Sequence, residues 1–69
     1  MRTEFKDESG AVVATVESDN QEFLLAIEQR VLGTRMQAEE LDVWVASASV
    51  YDDSGTHVMD YEPRPEPKD

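Results

Sequence analysis

Residues 2–17 read Arg2-Thr3-Glu4-Phe5-Lys6-Asp7-Glu8-Ser9-Gly10-Ala11-Val12-Val13-Ala14-Thr15-Val16-Glu17. Arg2–Lys6 alternates, with Thr3 and Phe5 on one face and Arg2, Glu4 and Lys6 on the other. A polar stretch closed by Gly10 follows, then a run rich in β-branched residues; this is the signature of a β-hairpin. With Asp7–Gly10 as the loop, Phe5 is predicted to face Val12, Thr3 to face Ala14 and Met1 to face Val16. A slip of one residue would scatter these side chains over both faces.

The same turn recurs. Asp52-Asp53-Ser54-Gly55 echoes Asp7-Glu8-Ser9-Gly10, and the echo extends to Val13 and Val58, each three residues past its glycine. A left-handed glycine closes both loops without steric cost. A second hairpin is therefore expected over about 41–62. The same register puts Trp44, Ala46, Ala48 and Val50 opposite Tyr61, Met59 and His57 on an inner face. Val43, Val45, Ser47, Ser49, Tyr51, Thr56, Val58, Asp60 and Glu62 then lie on the outer face.

Between the hairpins, Phe23, Leu24, Ile27 and Val31 fall at helical spacing, widened by Leu25, Ala26 and Leu32, while Glu28, Gln29 and Arg30 are expected to face water. Ser18 with Gln21, or Asp19 with Glu22, forms a candidate capping box, and Gly33 is a natural stop. Thr34–Glu40 is left open as a short second helix. The order is β-β-α-β-β: an α+β fold in which one helix covers one face of a four-stranded antiparallel sheet. A single domain is expected over 1–62. Residues 63–69, Pro63-Arg64-Pro65-Glu66-Pro67-Lys68-Asp69, read as an extended, solvated tail.

Composition narrows the function. The chain has 69 residues, no cysteine, one histidine and a formal net charge of −10. Without cysteine there is neither a disulfide framework nor a Cys-rich zinc module. No apolar run approaches a bilayer span, and residues 1–8 are charged with no apolar signal core, so a cytoplasmic location away from membranes is expected. Direct nucleic-acid binding requires a basic surface and is not expected.

Charge is also unevenly placed. Between Arg35 and Arg64 no Lys or Arg occurs, while Glu39, Glu40, Asp42, Asp52, Asp53, Asp60 and Glu62 do. One-sign clusters repel, so such a field either serves solubility or directs binding to a cationic partner. Carboxylates at strand spacing can imitate a row of phosphates or pair with Arg and Lys. Val43, Val45, Tyr51 and Val58 on the outer face would supply an apolar centre within that acidic rim, the usual anatomy of an interface. Packing against the tail or a second copy, as a homodimer, is the plainer role for these four.

The remaining chemistry is sparse. His57 alone, with neither Cys nor a second His, offers no transition-metal site, and Asp52-Asp53-Ser54-Gly55 is too short for a calcium loop. Trp44 is expected as a core anchor. Ser54, His57 and the Asp52–Asp53 pair crowd one turn without making a catalytic triad. No cofactor and no enzymatic activity are expected.

In size, lack of cysteine, β-β-α-β-β order and the cation-free stretch Met36–Pro63, the chain resembles the small acidic inhibitors made by phages and other mobile elements, including DNA-mimicking and anti-CRISPR proteins. The resemblance implies a bacterial host cell. It also implies a stoichiometric inhibitor that occupies the basic nucleic-acid-binding surface of a protein complex, with the seven acids facing that surface. Arg2, Lys6, Arg30 and Arg35 make the N-terminal half less one-sided, so any mimicry would be polarised. The competing expectation is a structural or regulatory subunit that binds a protein through the outer sheet face, with no nucleic-acid connection.

Overall fold

A computed structural model describes residues 1–38 and 41–67. The elements are β1 (Arg2–Lys6), β2 (Val12–Glu17), α1 (Gln21–Val31), β3 (Arg35–Ala38), β4 (Leu41–Trp44), β5 (Ser47–Tyr51) and β6 (His57–Asp60). The main sheet is antiparallel in the order β2-β1-β5-β6, and β3-β4 forms a separate small hairpin. The expected α+β class and β-β-α-β-β order hold for the main sheet and its helix.

Both turns are built by one set of bonds. Asp7 C=O accepts from Gly10 N–H (3.1 Å) and Asp7 N–H donates to Ala11 C=O (3.0 Å); Asp52 bonds to Gly55 and Thr56 in the same way, both at 3.0 Å. Each Asp Oδ1 also takes the Ser N–H, the Ser hydroxyl and the N–H four residues on. Gly10 at φ +90° and Gly55 at φ +86° hold the left-handed position, so each loop has three residues rather than four. A bulge follows: Lys6 pairs with Val12 but Phe5 with Ala14, and Tyr51 pairs with His57 but Val50 with Met59. Val13 and Val58 are the extra residues.

The shorter loop and the bulge each shift the register by one residue in the same direction, so beyond the bulge the pairing lies two residues from the expected one, which restores the expected face. Thr3 and Phe5 therefore keep their predicted side but lie opposite Val16 and Ala14 rather than the expected Ala14 and Val12. Before the bulge only the first shift acts. His57, expected on the inner face, lies opposite Tyr51 on the outer one, whereas Val58 lines the helix side with Leu24, Leu25 and Met59. The bulged strands are also the two outermost, which twists both edges away from pairing with another sheet.

The expected long strand from Leu41 breaks at Val45–Ala46. Val45 N–H still donates to Thr34 C=O and Val45 C=O accepts from Gly33 N–H (both 2.9 Å), whereas Ala46 N–H donates to Lys6 C=O (2.9 Å). The chain thus changes partner between adjacent residues. Arg35–Ala38, left open as helix, becomes the strand that pairs with Leu41–Trp44. Val45, expected on the outer face, is fully buried with Phe5, Leu32 and Ala48.

The helix is capped by Asn20, one residue after the Asp19 box and two after the Ser18 box. Asn20 Oδ1 accepts from Glu22 and Phe23 N–H (3.0 and 3.2 Å), while Ser18 Oγ accepts from Asn20 N–H (3.0 Å). Leu24, Ile27, Val31 and Leu32 face the core as expected, but Phe23 is exposed. The tail is not merely solvated. Proline lacks an N–H, so in Pro63–Pro67 only Arg64 and Glu66 can donate, and both do, to Ala46 C=O (2.7 Å) and Glu8 Oε1 (2.9 Å). Trp44 Nε1 donates to Arg64 C=O (2.6 Å), so this ring holds the tail instead of anchoring the core.

Candidate functional site

Turn geometry decides which carboxylates are available. Asp52 Oδ1 accepts three bonds from its own turn, and these hold its carboxyl below the usual carboxylate range, the Ser54 hydroxyl contributing most. Asp53, the next residue, points outward and meets the Met1 amine. Because β1 runs antiparallel to both β2 and β5, the start of β1, the end of β2 and the β5–β6 turn meet at one end of the sheet. Glu17, Ser18 and Asp19 are thereby brought beside Asp52, Asp53, Ser54 and Gly55. Together with Met1 and Arg2 they wall an open concavity of about 360 Å³.

Four carboxylates from two distant segments therefore share one bowl. Both cations in its wall are engaged: the Met1 amine meets Asp53, while Arg2 Nε lies 3.2 Å from Glu4 and its guanidinium sits 4.7 Å from the centroid of the Tyr51 ring. Glu17 and Asp19 were missed from sequence, because Arg2 and Lys6 made the N-terminal half look balanced. The adjacency of β1 and β5 was the signal that would have found them.

The other predicted acids are dispersed. Asp42 lies 3.7 Å from Arg35, which also pairs with Glu66, at the opposite end of the sheet. Asp60 is on the outer face, where it accepts from Ser49 Oγ and bonds His57 Nε2 (2.9 Å); the Ser49 bond and then the His57 bond lower its pKa. Glu62 is exposed past the end of β6. Glu39 and Glu40 lie outside the described residues.

The predicted apolar centre does not form. Val45 is in the core, Val58 is on the helix side because of its bulge, and Val43 stands beside Trp44, Arg35 and Glu66. Only Tyr51 remains on the outer face, half-buried between Arg2 and His57, with its ring centroid 5.5 Å from the imidazole. That face is polar, with the cross-strand rows Thr15–Glu4–Ser49–Asp60 and Glu17–Arg2–Tyr51–His57.

Exposed apolar surface lies instead between α1 and β6. Leu25, Val58 and Met59 are each roughly half exposed. With Met1, Gln21, Leu24, Glu28, Val50 and Tyr61 they line a groove of about 300 Å³. Glu28, expected to face water, is 4% exposed. Its Oε2 accepts from Thr3 Oγ1 and its Oε1 from Tyr61 OH, both at 2.6 Å. Burial, and then the Glu28 carboxylate, push the Tyr61 phenol up to about 12, so it remains a donor.

Among the described residues no group of three or more His, Asp or Glu is placed to hold a metal ion, and no helix is long and apolar enough to cross a membrane. His57 bonds Asp60, while Ser54 bonds Asp52 and Thr56. No protein-family model matches the chain, and no curated protein or solved structure shows significant similarity to it.

Proposed function

We propose that this chain is a stoichiometric acidic binding protein that inhibits a nucleic-acid-handling complex by occupying its basic surface. The observation that carries the reading is the open bowl in which Glu17 and Asp19 meet Asp52 and Asp53. Like charges drawn together by the fold repel, and that cost is offset when a cationic surface docks on them. Such a field accelerates encounter and fixes orientation. It acts on Arg and Lys that otherwise hold phosphates, so the protein competes with nucleic acid without binding it. The contact is made by the end of the sheet rather than its outer face, and Asp42, Asp60 and Glu62 contribute only to the long-range field.

A second reading, a regulatory subunit with no nucleic-acid connection, is favoured by the exposure of Leu25, Val58 and Met59. Salt separates the two. The tagged protein is used to capture targets from bacterial lysate, with washes at about 0.1 M and then about 0.5 M salt, across which the Debye length falls from roughly 10 Å to under half of that. The inhibitor reading expects a nucleic-acid-binding protein that is released by salt and displaced by added DNA. Salt-resistant recovery of a protein with no nucleic-acid role would overturn it in favour of the subunit.

A further inference from the structure

The groove between α1 and β6 has an unusual combination of walls and floor. Its walls include Leu24, Leu25, Val58 and Met59, and among its lining is Glu28, which is nearly fully buried. A carboxylate has about four lone-pair sites, and the two hydroxyl donors from Thr3 and Tyr61 leave others open. Among the described residues no cation pairs with Glu28. A buried charge without a counter-charge is costly, and supplying the counter-charge relieves that cost. Arg and Lys match this shape, with an apolar stem to lie along apolar walls and a cationic head for the carboxylate.

From this geometry we infer that the groove receives an arginine or lysine side chain of the target protein. The inference rests on the acidic bowl as the docking end, since Met1 lines both cavities and so sets them side by side. The bowl attracts a basic segment at long range, and the groove grips one of its side chains at short range. A second copy of this chain is disfavoured as occupant, because a net charge of −10 would meet the same charge.

The test is a titration of the full chain with a hexa-arginine peptide and with its hexa-citrulline counterpart, which keeps the shape but is neutral. Methyl resonances of Leu24, Leu25, Val58 and Met59 report the groove, and amides of Glu17, Asp19 and Asp53 report the bowl. Hexa-arginine is expected to shift both sets saturably and hexa-citrulline neither. Glu28→Gln is expected to weaken the groove response by about tenfold, the size of a charge-assisted hydrogen bond. Should that variant fail to fold, Val58→Arg, at a half-exposed site, places a competing cation in the groove; it is expected to abolish the methyl response and keep the bowl response. Bowl shifts with unmoved methyls would overturn the groove and leave the acidic docking end standing. Methyl shifts without bowl shifts would overturn the docking end instead. Silence at both sets overturns both, and methyl shifts that follow dilution of the protein alone would assign the groove to a second copy.

Discussion

The turns at Asp7–Gly10 and Asp52–Gly55 have the same bonds, the same left-handed glycine and the same bulged residue three positions past it, yet their surroundings differ. At the first, Glu8 accepts from the Glu66 N–H, and Pro63 and Pro65 lie against the loop, with Arg35 between Asp42 and Glu66 nearby. At the second, the carboxylates of Glu17 and Asp19 stand open beside Asp53, which meets the Met1 amine. The bulges diverge likewise: Val13 packs on the core, whereas Val58 is half exposed in the groove. Local sequence specifies a turn. What the turn can bind is decided by chain segments far away.

The sharpest way to break this comparison is through the strands that feed the two turns. Phe5, before the first turn, is 1% exposed, whereas Met59, after the second, is 44% exposed. Phe5→Ala is expected to cost about 3–5 kcal/mol in chemical denaturation and Met59→Ala under about 1 kcal/mol. Equal losses would mean that β6 shares the core.

Next in size is Tyr61→Phe, which strips Glu28 of one of its donors and is expected to cost about 1.5–3 kcal/mol. It also carries a pH signature. The phenol binds its proton more tightly folded than unfolded, with a pKa raised from 10.0 to about 12. Its contribution is fully present below about pH 10 and is lost as pH rises toward about 12. Thermal melts over that window should show the parent losing its advantage over Tyr61→Phe; a constant gap would contradict the buried network.

The twin loops themselves should respond alike. A Cβ at Gly10 or Gly55 meets nothing within 4 Å, so Gly10→Ala and Gly55→Ala carry only the backbone penalty, about 1–2 kcal/mol each. A clear difference between them would show that the surroundings reach into the turns. The smallest effect is in acid. Asp7 and Asp52 both have lowered pKa values, chiefly through the hydroxyls of Ser9 and Ser54. Their contribution is present above the ordinary carboxyl value and is lost as pH falls through the lower folded one. Asp7→Asn and Asp52→Asn should each flatten the acid limb of the melting curve by the same amount.

The α+β order and the helix stripe were legible in sequence because alternation, helical period and turn residues are local signals. The inner face of the first hairpin was legible too, although only because two single-residue shifts add up to two, which keeps the face while changing every partner. Other features depend on partners that no local window contains. Nothing in Trp44-Val45-Ala46-Ser47 marks the change of partner at Val45–Ala46, where Thr34 takes the one N–H and Lys6 the next. Glu28 looked solvent-facing by helical period, and only Thr3 and Tyr61 make its burial tolerable. The acidic stretch was visible as composition, but the bowl needs Glu17 and Asp19 from across the sheet. The tail reads as proline-rich and solvated, and residues 63–65 and 67 are exposed, but the attachment of its two N–H donors to Ala46 and Glu8 has no local signal.

The most direct test of the docking end compares charge reversal at the two ends of the sheet. Binding of hexa-arginine would be measured by calorimetry at about 0.1 M salt for Asp19→Lys/Asp53→Lys and for Glu8→Lys/Asp42→Lys, which change the net charge equally. The bowl variant is predicted to lose about tenfold or more in affinity and most of its salt dependence, and the other to stay within about twofold of the parent. Equal losses at both ends would contradict the account, because the partner would then be sensing net charge rather than the site that the fold assembles.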